Sequence, residues 1–177
     1  YVFDGEKGAY EENHSTYPLN YYGKCKLESE NLLIGSNKKY IIFRASMLFD
    51  NRSRNFFTWV LNNLREDKTI RVASDMFSTP TWIPSFSNVI MKSIYLNLSG
   101  LFHYGTDESI SRLAFSRLIA EKFNLNYDLI IPTKTDDINF IAKRPKNTSL
   151  LSSKISKLVD IEVDNIDYIL KILSENL

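Results

Sequence analysis

A helical stretch that runs straight into an apolar strand is the feature that most constrains this chain. Residues 24–33 are dominated by good helix formers, with Leu27, Leu32 and Leu33 as an apolar stripe. Asn20 is a suitable cap before them, and Gly35-Ser36-Asn37 is a suitable stop after them. Tyr40-Ile41-Ile42-Phe43 then forms a near-continuous apolar run. Such runs suit parallel strands covered by helices on both faces. A helix over residues 20–34 followed by a strand over 40–45 is the αβ step of a doubly wound sheet, so an α/β fold is predicted. Arg44-Ala45-Ser46-Met47 would then lie at the strand's carboxyl end, where open α/β sheets place their ligands.

The same helix carries Tyr22 and Lys26. Residues four apart lie on one helical face, so the phenol and the ammonium can address one space. A free tyrosine, with a pKa near 10, is a reluctant acid at neutral pH, and a neighbouring cation stabilises its phenolate. A tyrosine so placed can hand a proton to a carbonyl oxygen. Spacing alone is also satisfied by a chance surface pair, since the chain holds 10 tyrosines.

Further along, residues 55–64 show apolar positions at helical spacing, and so do 86–98, 108–123 and 166–173. Asp107 is the predicted cap of the third of these. Residues 69–73, 100–105 and 129–133 read as short strands. Residues 1–3 read as a strand tail, and 6–18 and 134–147 as loops. Arg52 and Arg54 precede a helix start and suit either a solvated loop or a diphosphate. His14 reads as a loop residue and His103 as a satisfied structural histidine.

With 177 residues the chain is long enough for a real core. Its net charge of +1 gives no global field for nucleic acid or an anionic membrane. No apolar run is long enough for a helical membrane span. The single Cys25 fits a reducing compartment, and a cytoplasmic location is expected. No Cys/His cluster has metal-ligand spacing, so no metal is expected. A dinucleotide fold opens with a glycine-rich turn between strand and helix; the 6 glycines form none here.

Several motifs occur in a fixed order: Tyr1-Val2-Phe3-Asp4-Gly5, Pro18 with Tyr22-Gly23 and Lys26, and Phe43-Arg44-Ala45-Ser46-Met47. They are followed by Ser78-Thr79-Pro80-Thr81, Gly100-Leu101-Phe102-His103, and the run from Lys143-Arg144-Pro145 through Asn147-Thr148-Ser149-Leu150 to Ser153-Lys154. In order and spacing this resembles the extended short-chain dehydrogenase/reductases, and within them the dTDP-4-dehydrorhamnose reductases. Ala45 and Met47 depart from that pattern, which reads Arg-Thr-Ser followed by Trp.

The resemblance implies the C-terminal part of a Rossmann-like doubly wound parallel sheet plus a smaller α/β substrate domain. Residues 1–50, with 70–105 returning to them, would belong to the NAD(P)-binding part; 51–69 and 106–177 would form the substrate-binding region. It implies that roughly a hundred residues precede Tyr1, carrying the pyrophosphate loop and the triad's Ser or Thr, so that the chain alone is inactive. Tyr22 and Lys26 would be catalytic. Tyr1, Tyr22 and Lys26 would meet the cofactor, NADPH or NADH. Ser46, Met47 and Arg144 would meet a dTDP-sugar. The implied reaction is reduction of the 4-keto group of dTDP-6-deoxy-L-lyxo-4-hexulose to dTDP-L-rhamnose. A homodimer is a further expectation. A related branch of the family is the non-catalytic, dinucleotide-binding regulatory subunit of methionine adenosyltransferase, which is the alternative function and partner.

Overall fold

The structure, a computed structural model, describes all residues 1–177. Helix α1 spans Tyr21–Gly35 and strand β1 Ile41–Phe49. The side chain of Asn20 accepts from the Gly23 N–H, as the cap prediction requires. Asn37 follows the helix in the left-handed region. The rest runs α2 (Phe56–Arg65), β2 (Ile70–Ala73), β3 (Phe77–Ser78), β4 (Pro80–Trp82), α3 (Ile83–Tyr95) and β5 (Gly100–Tyr104). It continues with β6 (Ile110–Ser111), α4 (Arg112–Lys122), β7 (Ile130–Thr133), α5 (Ser153–Val159) and α6 (Ile166–Asn176).

Three parallel strands form one sheet in the order β4-β1-β5, with Ile41 to Ala45 in register with Gly100 to Tyr104. The apolar run from Tyr40 thus becomes a parallel strand, as predicted. β1 continues to Phe49, beyond the expected end at residue 45, because Ser46, Leu48 and Phe49 pair with β4. The register slips at Met47, a non-glycine residue with φ 44. This bulge re-aims the strand where ligand-facing residues were expected.

Residues 70–105 were expected to return to the part formed by residues 1–50; within them, 70–73 pair with β7 in a second parallel sheet, and Ile70 and Val72 join the core around α2, α4 and α6. Residues 1–3 belong to no sheet, although Val2 and Phe3 are buried. Helix α4 begins at Arg112, not at 108, because Ile110–Ser111 pairs antiparallel with β3; Ser111, not Asp107, caps it by accepting from the Ala114 N–H. Helix α5 went unpredicted.

The largest core gathers Phe49, Phe57, Phe115, Ile119, Ile169 and Leu170, all fully buried, from β1, α2, α4 and α6. A smaller one joins Val89, Phe102, Tyr104, Ile155 and Val159 from α3, β5 and α5. The outward face of α1 is different: Leu32, Leu33 and Ile34 are exposed, so the leucine stripe contributes little beyond Leu27. No helix is long and apolar enough to cross a membrane.

Candidate functional site

A cleft of about 430 Å3 opens between α1, β1 and the start of α4. Tyr1, Tyr22, Lys26, Ser46 and Met47 all line it. The structure therefore brings together five of the six predicted site residues. Arg144 is the exception. It lines the adjoining groove with Tyr1, Tyr22 and Phe140, and its guanidinium carbon lies 4.5 Å from the Phe140 ring centroid. Tyr1 and Tyr22 form the ridge between the two depressions, their rings edge to face at 5.5 Å. This contact needs Gly23, where a Cβ would run into the Tyr1 carbonyl oxygen.

The Lys26 ammonium sits 5.5 Å from the Tyr22 ring centroid, so the helical spacing does bring the pair together. Neither the Tyr22 hydroxyl nor the Lys26 ammonium has a hydrogen-bond or ion-pair partner within the chain. Both polar heads are free to meet a ligand.

One turn after Lys26, Glu30 points inward and receives both Arg44 Nε (2.9 Å) and Arg44 Nη2 (2.6 Å). This fork geometry is the strong form of a carboxylate–guanidinium pair. Arg44 also covers the Phe3 ring at 5.0 Å and reaches His103 Nε2 at 3.3 Å. His103 Nδ1 is 2.9 Å from the Tyr10 carbonyl oxygen, which can only accept. The imidazole therefore carries its proton on Nδ1, and Nε2 accepts from Arg44. Burial and the positive charge of Arg44, opposed by the Tyr10 carbonyl, Glu12 and Glu30, lower His103 from 6.5 to about 4. His103 is thus a fully buried, neutral structural histidine, as expected, and the network pins α1 to β1 and to the loop around Tyr10.

Ser46 Oγ lies 2.8 Å from Thr148 Oγ1, which in turn lies 3.2 Å from the Phe77 carbonyl oxygen. The carbonyl takes the threonine proton, so Ser46 donates to Thr148 and keeps its lone pairs for the cleft. Met47 Sδ accepts a weak hydrogen bond from Ser78 Oγ at 3.7 Å. Thr148 and Glu30 were missed as site residues, and Ser78 was given no individual role. Thr148 and Ser78 fall within the ordered motifs, and Glu30 stands four residues after Lys26; each was visible as a residue, but not as a partner. Arg112, which also lines the cleft, carried no sequence signal at all. No cluster of metal-ligating side chains occurs.

Arg54 lines a groove along α2, whereas Arg52 is exposed beside the Asp50 turn. His14 lies in an exposed turn, its Nδ1 accepting from the Glu11 N–H.

The chain is 30% identical over 174 residues to dTDP-4-dehydrorhamnose reductase of Aggregatibacter actinomycetemcomitans, covering 92% of this chain and 59% of the relative. It is 29% identical over 169 residues to methionine adenosyltransferase 2 subunit beta of Danio rerio, covering 89% of this chain and 52% of the relative. The crystal structure of dTDP-4-dehydrorhamnose reductase from Bacillus anthracis in complex with NADP superposes with a TM-score of 0.92 at 25% identity, over 99% of this chain and 63% of that one. The chain thus spans less than two thirds of the length of these relatives, and its fold is the α/β, parallel-sheet fold of the reductase structures. The family model of the RmlD substrate binding domain matches residues 1–176, and the chain belongs to that family, within the extended short-chain dehydrogenase/reductases.

Proposed function

We propose that this chain supplies the proton donor and the sugar-binding wall of an NAD(P)H-dependent nucleotide-sugar reductase. The reaction is reduction of the 4-keto group of dTDP-6-deoxy-L-lyxo-4-hexulose to dTDP-L-rhamnose. The observation that carries the reading is the convergence, on one cleft, of a free tyrosine–lysine pair and the bulged carboxyl end of a parallel strand. Tyr22 protonates the carbonyl oxygen as it becomes an alkoxide. Lys26 stabilises the tyrosinate left behind and hydrogen-bonds ribose hydroxyls. Ser46 accepts from a sugar hydroxyl, and Met47 forms an apolar wall where the sugar lies.

The free heads of Tyr22 and Lys26, with Tyr1 beside them, suit the nicotinamide end of a dinucleotide. When bound, that group supplies the hydride. No glycine-rich turn for its pyrophosphate exists in these 177 residues: Gly5 and Gly8 are packed against Pro145 and Asn147, and Gly23 and Gly105 against Tyr1 and Thr79.

A second reading, a dinucleotide-binding regulatory subunit of methionine adenosyltransferase, is favoured by the similarity to the Danio rerio protein. The two separate in one assay of the purified protein with NADPH and the keto-sugar nucleotide. Stoichiometric NADPH loss and dTDP-L-rhamnose formation support the reductase. No turnover, together with altered activity of added methionine adenosyltransferase, overturns it in favour of the regulatory role.

A further inference from the structure

Arg112 is the first residue of α4 and lines both the cleft and the groove along α2. Its guanidinium carbon lies 4.5 Å from the Phe56 ring centroid, and Phe56 is itself stacked on Trp59 at 5.7 Å. The ring beneath it fixes the plane of the fork. No side chain accepts from Arg112, and none of its nitrogens is sealed away from solvent, so its N–H groups open onto the two depressions.

The surroundings offer no counter-charge. Glu30 is the one carboxylate lining the cleft, and Arg44 occupies it. The α2 groove has Arg54 and no carboxylate. Cleft and groove together thus present Lys26, Arg54 and Arg112 with nothing negative left to meet them. Burial disfavours the charged guanidinium, Tyr1 partly opposes that, and nearby Arg144 disfavours the charge further. A partly buried cation without a partner is costly to keep, and an anion supplied by a ligand offsets that cost.

We propose that Arg112 is the diphosphate-recognition residue of this site. It would hold a nucleoside diphosphate-sugar where the cleft opens into the α2 groove, with the sugar towards Met47 and Ser46 and the nucleoside along Trp59 and Asn62. The assignment rests on the nucleotide-sugar reading for the nucleoside, whereas the anion site stands on the unpaired guanidinium alone.

The test is calorimetric titration of the purified protein with dTDP, thymidine and inorganic pyrophosphate, for wild type, Arg112→Gln and Arg112→Lys, with a thermal melt of each. Arg112→Gln is expected to weaken dTDP at least about tenfold, since a charge-assisted fork is lost, and to leave thymidine within about twofold. Arg112→Lys keeps a charge without the fork and is expected to fall between. Unchanged dTDP binding in both variants, or equal losses for thymidine and dTDP, overturns the assignment. Should Arg112→Gln unfold, Arg112→Lys decides: selective weakening of dTDP supports the site, and wild-type affinity overturns it. Pyrophosphate separates the two claims. If wild type binds it as tightly as dTDP and Arg112→Gln loses both, the anion site stands and the nucleotide reading falls. If wild type binds none of the three, both fall.

Discussion

The two ends of this molecule are held together by different physics. Around α2, α4 and α6, 15 buried apolar residues form one continuous core. Around α1, β1 and β5 the apolar clusters have only 5 and 4 buried members, and between them sit Glu30, Arg44 and His103. The first region derives its stability from area removed from water, which has no direction. The second relies on hydrogen bonds of fixed geometry, which hold α1 at a set position and angle against β1. The reactive side chains project from this second region, where Tyr22 and Lys26 must meet a ligand at hydrogen-bond distance. Stability is concentrated in one half and placement in the other, and the cleft lies at their seam.

Substitutions separate the two regimes. The largest expected effect is in the apolar core, where Phe115→Ala removes a fully buried ring packed against Phe49 and Phe56 and is expected to cost about 4 kcal/mol. Urea unfolding checks it. Next is Glu30→Ala, expected to cost about 3 kcal/mol because it leaves Arg44 without its carboxylate. Glu30→Leu combined with Arg44→Met is expected to cost less than Glu30→Ala alone, which no purely apolar account predicts. A double-mutant cycle gives the answer.

Acid weakens the polar region first. The unfolded chain binds a proton at His103 near pH 6.5, and the folded chain only near 4. The contribution of His103 is therefore complete above pH 6.5 and is lost as pH falls towards 4, by on the order of 3 kcal/mol. Urea midpoints at pH 7.5 and 4.5 check this, and His103→Gln is expected to flatten the difference. The smallest effect is at the α2 capping box, where Asn55 and Thr58 exchange hydrogen bonds. Asn55→Ala is expected to lower stability by about 1 kcal/mol in a thermal melt.

The same contrast explains what could be read in the chain. Periodicity located α1, α2, α3, α4 and α6, and the short-range signals at Asn20 and Gly35 bounded the first of them. The parallel character of β1 followed from its unbroken apolar run. Three features were hidden because they depend on residues distant in sequence. The partner of β2 is β7, a pairing that no local pattern specifies. The bulge at Met47 arises where β1 passes from β5 to β4. Thr148 orients Ser46 from the far end of the chain. The site residues carried by α1 and β1 were legible because one helical turn and one strand end suffice to bring them together. Arg144 was placed by motif alone, and it lies in the neighbouring groove.

The most direct test of the account is the rate of NADPH oxidation by the intact protein with dTDP-6-deoxy-L-lyxo-4-hexulose, for wild type and Tyr22→Phe. Tyr22 is exposed at the cleft rim, so the variant is expected to keep the wild-type melting temperature and to lose turnover by about 10²–10⁴-fold. Wild-type turnover in Tyr22→Phe would contradict the account, because the cleft would then work without the proton donor around which it is described.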